Sequence, residues 1–320
     1  MNTGRKVKIL ASGQQTFIYK DGNIYSLQKE PKLIKEGTEF KDWAATHDGT
    51  CITINTSGNI EFVTPASSTS FLRDLKAEGV FQRAVCSNMS ICLLDENFET
   101  WFLGSITYNF SFQDSLTKYS FSSVPIVNIF CGEDNLYFMD KDSKLWGVGL
   151  NNSGCLGLGH SNYQDSPKII EGLSEVVEVA CGVHHCLILD KNGFVYGAGG
   201  NDYGQIGLGE IPEVHYFQKL ETLSNIINIA AGSIHSLCLS QEGDVYAFGC
   251  GGMLGTGEKQ EEHLPRKINL AGIVSVHAGT EHSFCVDNNG AIWAFGFNTV
   301  NQLGLPDRPR KQKVPIIISL

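Results

Sequence analysis

The chain has 320 residues, of which 42% are hydrophobic and 18% charged, with a formal net charge of -10 and an isoelectric point near 5.4. That length could hold two domains and is ample for a large core, while the acidic balance speaks against a phosphate backbone or an anionic membrane as partner. With no signal peptide and no run of about 18 apolar residues, the sequence predicts a soluble protein of the cytoplasm or nucleus.

From the N-terminus onward, short β-branched and aromatic runs alternate with Gly, Asn, Asp and Ser. Residues 1–124 show the pattern faintly, through Gly22 with Tyr25, then Gly58, then Trp101 with Gly104. From residue 125 it is explicit: "IFCGEDNLYFMDKDSKLWG", "VACGVHHCLILDKNGFVYG", "IAAGSIHSLCLSQEGDVYA" and "VHAGTEHSFCVDNNGAIWA". The first glycines, Gly132, Gly182, Gly232 and Gly279, stand 50, 50 and 47 residues apart, a spacing typical of repeat architectures. Eleven residues after this marker comes a turn glycine (Gly193, Gly243, Gly290), and fourteen after it an aromatic residue (Trp146, Tyr196, Tyr246, Trp293). The same ruler, laid over the front of the chain, sets weaker units at Ala11, His47 and Ser87, making seven.

Within the unit marked by Gly182, "KII", "VVEVAC", "HHCLILD" and "FVYGAG" each read as a strand. Asp190-Lys191-Asn192-Gly193 predicts a type I′ hairpin. The apolar runs are nearly continuous, so both faces of each sheet are covered. Four antiparallel strands repeated seven times around an axis make an all-β, seven-bladed propeller in one domain, 1–320, with degenerate blades over 1–124 and well-formed repeats over 125–313. The first unit lacks an opening Pro-apolar strand and the last is followed by "VPIIISL" (314–320). That strand is therefore expected to pair into the first blade and close the ring. Glycine also recurs seventeen residues after the marker, at Gly104, Gly149, Gly199, Gly249 and Gly296, where it predicts close backbone approach.

The loop "GAGGNDYGQIGLG" (197–209) is not a phosphate cradle. Gly199 and Gly204 have the P-loop gap, but Gln205 and Ile206 stand where Lys and Ser/Thr are required, and Gly197-Ala198-Gly199 is followed by Asp202 rather than by a third glycine. It recurs as "GVGLNNSGCLGLG", as a shortened "GCGGMLGTG" and as "GFNTVNQLGL".

The Gly-x-x-His steps at Gly182, Gly232 and Gly279, the aromatic-x-x-Gly step and "NDYGQIGLG" together resemble the repeat of the regulator of chromosome condensation family. The likeness is clear from residue 125 and rests on the ruler before it. A WD-repeat propeller is less similar, because no Trp-Asp pair occurs. The resemblance implies one of two functions: a stand-alone, non-enzymatic platform for protein partners, or a guanine-nucleotide exchange factor for a Ran-like small GTPase. No unit exceeds about 50 residues, which leaves little room for the inserted wedge of the family's founder. Arg5, Lys6 and Lys8 make a thin basic tail. The platform is the expected function, with no cofactor.

Ten cysteines invite thoughts of disulfides or zinc, above all in "CGVHHC" (181–186). Cys86, Cys131 and Cys181 each precede a marker, however, and Cys238 and Cys285 follow one by six residues, so they occupy equivalent strand sites and predict buried thiols with no metal. His185, His235 and His282 recur once per blade, as a structural residue does; each is expected to hold its own blade's turn through a backbone hydrogen bond. The cluster Arg308, Arg310, Lys311 and Lys313 reads as a solvated loop rather than a nucleic-acid patch. The expected working surface lies on loops that combine charge with aromatic groups: Tyr163, Asp202, Tyr203, Glu210, Glu213, His215, Tyr216, Phe217, Glu261 and Glu262. Its partner is expected to be a protein, bound by a monomeric chain without nucleic acid or membrane.

Overall fold

The computed structural model describes residues 7–12, 15–27, 31–46, 49–64, 75, 78–87, 90–105, 113–305 and 310–320. Its strands form seven antiparallel sheets spanning 7–35, 40–62, 81–118, 126–169, 176–219, 226–267 and 273–318, here blades 1 to 7. Six have four strands, and blade 2 has three among the described residues. This is the seven-bladed propeller that the repeat predicts. Arg5, Lys6, His47, Arg308 and residues 106–112 of the divergent segment lie outside the described residues.

In every blade the first strand in sequence lies innermost, and each packs against its counterpart in the next blade. Apolar groups on both faces of each sheet build one core layer between each pair of blades. Leu187, Leu189 and Val195 of blade 5 meet Ile226, Ile229 and Cys238 of blade 6, for example. The continuous apolar runs thus have the two covered faces that they require.

The expected phase of the unit is corrected by one strand. "KII" does not open the blade of Val176–Cys181; it belongs to Gln164–Ile169, the outer strand of blade 4, through Trp146↔Ile169. Closure follows the same rule. The last strand, Lys311–Ile318, pairs with Ile292–Phe297 in its own blade 7, not with blade 1. Blade 1 completes its sheet with its own Lys32–Lys35. No strand crosses this seam among the described residues; Ile9, Ile18 and Leu27 pack against Phe284, Ile292, Leu303 and Ile318, and Thr16 bonds His282 at 2.8 Å.

Two local expectations shift as well. Gly193 N–H donates to Asp190 O at 3.1 Å, and of the turn residues only Gly193 has a positive φ (80°). This is a type I turn ending in a glycine bulge rather than type I′. Asp190 Oδ1 accepts the N–H groups of Asn192 and Phe194, both at 2.9 Å, so the aspartate fixes the turn without needing a second positive φ. The type I′ hairpin occurs instead at Asp21-Gly22 (φ 52° and 88°), between Lys20 and Asn23. Pairing also moves two markers by one residue: Ser12 opposes Gln15 and Thr46 N–H reaches Thr50 O, so the first two units are marked at Ser12 and Thr46.

Six innermost strands carry a β-bulge, which leaves a backbone N–H outside the ladder. In blades 3, 6 and 7 the preceding blade supplies an acceptor beside the bulge. Ala84 N–H donates to Asp42 Oδ2 (3.0 Å), Ile229 N–H to Glu178 Oε2 (3.2 Å) and Val276 N–H to Asn228 Oδ1 (2.9 Å).

Candidate protein-interaction surface

The loop face is set by the repeated histidines. In blades 5 to 7 the ring of His185, His235 and His282 fills the space where a Cβ on Gly182, Gly232 or Gly279 would stand. The marker is therefore glycine for room, while Gly132 makes the same room for Asn135. The expectation that each histidine side chain holds its own blade's turn is corrected: the imidazoles bond hydroxyls of the following blade. His185 Nε2 meets Ser236 Oγ at 2.9 Å, His235 Nε2 meets Ser283 Oγ at 2.9 Å, and His282 Nε2 meets Thr16 Oγ1 at 2.8 Å, each in the following blade. Ser236 Oγ–H in turn donates to Gln205 O at 2.7 Å. A hydroxyl that donates to a carbonyl must accept from the imidazole, so His185 carries a proton on Nε2. Ser236 and Ser283 each directly follow a repeated histidine, whereas Cys186 follows His185 and Thr16 follows Gln15.

Burial pushes these imidazoles down, to about 3 for His185 and His282 and about 4 for His235. Their folded pKa values lie below the unfolded value, so their contribution is complete above pH 6.5 and lost as pH falls. Burial raises Glu178 to about 7, which acts oppositely: the folded chain holds a proton that the unfolded chain releases above pH 4.5. Burial lowers His277 to about 4 as well, so four histidines against the raised carboxyls of Glu178 and Asp42 give a net loss of about 3 kcal/mol per pH unit near pH 5.5. Urea midpoints at pH 7.5 and 5.5 should differ accordingly; equal midpoints would contradict the neutral histidine assignment.

The glycine loops follow the third strand of each blade and lie on the same face. Buried Asn201 organises the loop of blade 5: Nδ2 donates to Gly209 O (2.9 Å) and Ile211 O (2.7 Å), and Oδ1 accepts Ile206 N–H (2.8 Å). Asn151 and Asn298 do the same in blades 4 and 7. Glycine density serves contact with the next blade. A Cβ on Gly204 would meet the backbone of His263, and one on Gly154 that of His215. Gly159 N–H donates to His215 O and Gly209 N–H to His263 O, at 2.8 and 2.9 Å. Replacing Asn201 by alanine should cost about 2 to 3 kcal/mol by orphaning these groups and make residues 202–212 the first site of limited proteolysis; a cleavage pattern like that of the unaltered chain would contradict the lock.

Of the residues predicted for the working surface, Asp202, Tyr203 and Glu210 are exposed on the loop of blade 5. Glu213, His215, Tyr216 and Phe217 lie not on a loop but on the outer strand Glu213–Lys219. Phe217 points inward against Gly157 and the core between blades 4 and 5, so it leaves the surface set. Tyr216 is 65% exposed, the most exposed large apolar side chain among the described residues. His215 Nε2 pairs with Glu213 Oε1 at 2.5 Å. Blade 6 repeats this arrangement on Glu262–Lys267, where His263 stands 3.5 Å from Glu261 and Leu264 is 53% exposed. Glu262 is drawn to Arg266, and Tyr163 is half-buried beside Gln164–Ile169 of blade 4. The structure thus joins Asp202, Tyr203, Glu210, Glu213, His215 and Tyr216 on one blade, with Glu261 on the next. Sequence reasoning missed Ile211 and Leu264, which are exposed in the same region.

The thiols are free and small rather than bridged. Cys86, Cys131 and Cys181 line the central channel with Ala11, Ala45, Ala231 and Ala278, one per blade, around a cavity of about 350 Å³. Burial pushes Cys131 up to about 12. Among the described residues no cluster of three or more His, Cys, Asp or Glu side chains could hold a metal ion, and no helix is long and apolar enough to cross a membrane.

The family model of the regulator of chromosome condensation repeat matches residues 142–189, 192–239 and 242–286, and a second model of that repeat matches 176–205 and 226–253. Residues 142–286 are regulator of chromosome condensation repeats, set within the seven-bladed propeller. Its matched repeats each run from one hairpin turn to that of the next blade, and so include the glycine loop and the histidine. Human WBSCR16 superposes with a TM-score of 0.78 at 19% identity, over 91% of this chain and 84% of that one. Yeast RCC1 (Prp20), solved with Kap60 bound, gives 0.71 at 23% identity, over 98% and 75%. Prp20p from Saccharomyces cerevisiae gives 0.69 at 24% identity, over 98% and 77%. Comparison with curated proteins finds no match.

Proposed function

We propose that this repeat propeller is a non-enzymatic platform for a protein partner, and that its working surface is the rim of blades 5 and 6. The carrying observation is Tyr216, 65% exposed beside the Glu213–His215 pair and repeated one blade on by Leu264 beside Glu261–His263. Apolar groups framed by charge, on strands held rigidly by their neighbours, suit an anchor site with a polar rim. Protein partners of similar propellers support the reading: yeast RCC1 (Prp20) was solved with Kap60 bound, and Prp20p binds Gsp1p and histones. The net charge of -10 favours a basic or neutral partner surface here.

The test is an affinity capture from the native cell extract with the purified chain and a Glu213→Lys/Tyr216→Ser variant, each with and without EDTA. A stable partner indifferent to EDTA and lost with the variant is expected. A Ran-like GTPase held only in EDTA would replace the platform by the exchange-factor reading, and capture unchanged by the variant would move the surface elsewhere.

A further inference from the structure

The bulges of the innermost strands create a second surface, at the opposite mouth of the channel from the glycine loops. The register breaks at Phe40/Asp42, Phe81/Arg83, Ile126/Asn128, Val176/Glu178, Ile226/Asn228 and Ile273/Ser275. In each blade one residue is left over: Lys41, Gln82, Val127, Val177, Ile227 and Val274. A bulge re-aims its side chain out of the ladder. All innermost strands run in the same direction around the ring, so these six residues stand at one height.

They are sorted by chemistry. Val177, Ile227 and Val274 of blades 5 to 7 are 47%, 52% and 53% exposed, with half-buried Val127 of blade 4 extending the arc. Across the axis, Lys41 of blade 2 and Lys8 of blade 1 are exposed, Lys8 Nζ lying 4.9 Å from the Phe40 ring centroid. Arg83 of blade 3 completes a cationic arc. Two carboxyl groups of this level are engaged internally: Asp42 accepts Ala84 N–H and faces Arg83 Nε at 3.4 Å, and Glu178 accepts Asn228 Nδ2 at 2.8 Å and Ile229 N–H, while Glu39 is exposed near Lys41. A contiguous exposed apolar arc marks an interaction site in a soluble domain, and cations gathered opposite it in a chain of net charge -10 select the sign of what binds.

We infer that this mouth docks an acidic segment of another protein, with its leucine-like side chains on Val177, Ile227 and Val274 and its carboxylates toward Lys41 and Lys8. This site is independent of the rim of blades 5 and 6. The probe is a displayed library of random peptides about twelve residues long, selected on the intact chain. Enriched peptides are then measured by fluorescence polarisation against the parent chain, I227D, K41E and Y216S. Because Ile227 and Lys41 are exposed, both variants should keep the parental melting temperature.

The expected peptides combine Leu, Ile or Phe with Asp or Glu. I227D should weaken them about tenfold or more, K41E severalfold with a smaller loss at high salt, and Y216S not at all. Three results would overturn the assignment: no enriched class or a basic one, affinities unmoved by I227D and K41E, or a concentration-dependent dimer abolished by I227D, which would give the arc to a second copy of this chain.

Discussion

Replacing Gly232 by alanine is expected to destabilise the propeller by about 3 to 5 kcal/mol. The added Cβ would overlap the His235 ring and stand 2.6 Å from Gly279 O of the next blade. Either the ring leaves, losing its 2.9 Å bond to Ser283 and orphaning buried groups, or the two blades part. Overpacking costs about 1 to 3 kcal/mol, and an unsatisfied buried polar group about the same. The urea midpoint measures the sum, and a midpoint near that of the unaltered chain would contradict the packing of ring on glycine. In the companion His235→Ala/Gly232→Ala protein the collision with the ring is gone and only the contact with Gly279 O remains, so the two costs should sum to more than the double variant shows.

Removing residues 314–320 is expected to lower the melting temperature by more than about 10 °C or to abolish cooperative unfolding. The truncation strips Ile316, Ile317 and Ile318 from their partners Ala294, Trp293 and Ile292. It also takes Ile318 and Leu320 out of the core that joins blade 7 to blade 1. The strand Ile292–Phe297 becomes an exposed edge prone to aggregation. A calorimetric trace unchanged by the deletion would mean that the ring closes without this strand.

The strands, their number and most turn positions were legible because each is encoded within a few residues. The run "HCLILD" can only be a strand covered on both faces, and Gly193 closes its hairpin whichever turn type is used. The phase of the unit was not legible, since a tandem repeat can be cut at any strand, and only the hydrogen bonds between Gln164–Ile169 and Leu145–Gly149 decide which sheet "KII" joins. Likewise the histidine at 185 gives no hint that its partner is Ser236, because the two meet only when the blades stack. At the candidate surface, composition grouped charged and aromatic residues but could not give the strand periodicity that turns Tyr216 outward and Phe217 inward.

The imidazole-to-hydroxyl links of blades 5 to 7 and the bulge caps from blades 2, 5 and 6 all reach forward, from one blade to the one after it. Stability therefore resides in couplings between nearest neighbours, as in a one-dimensional chain. Joining the ends adds one more coupling than an open stack of the same blades possesses. Opening any single seam would then remove that surplus and let the stack fray inward from two new ends. The molecule should unfold as a unit, although its main contacts among the described residues run between adjacent blades.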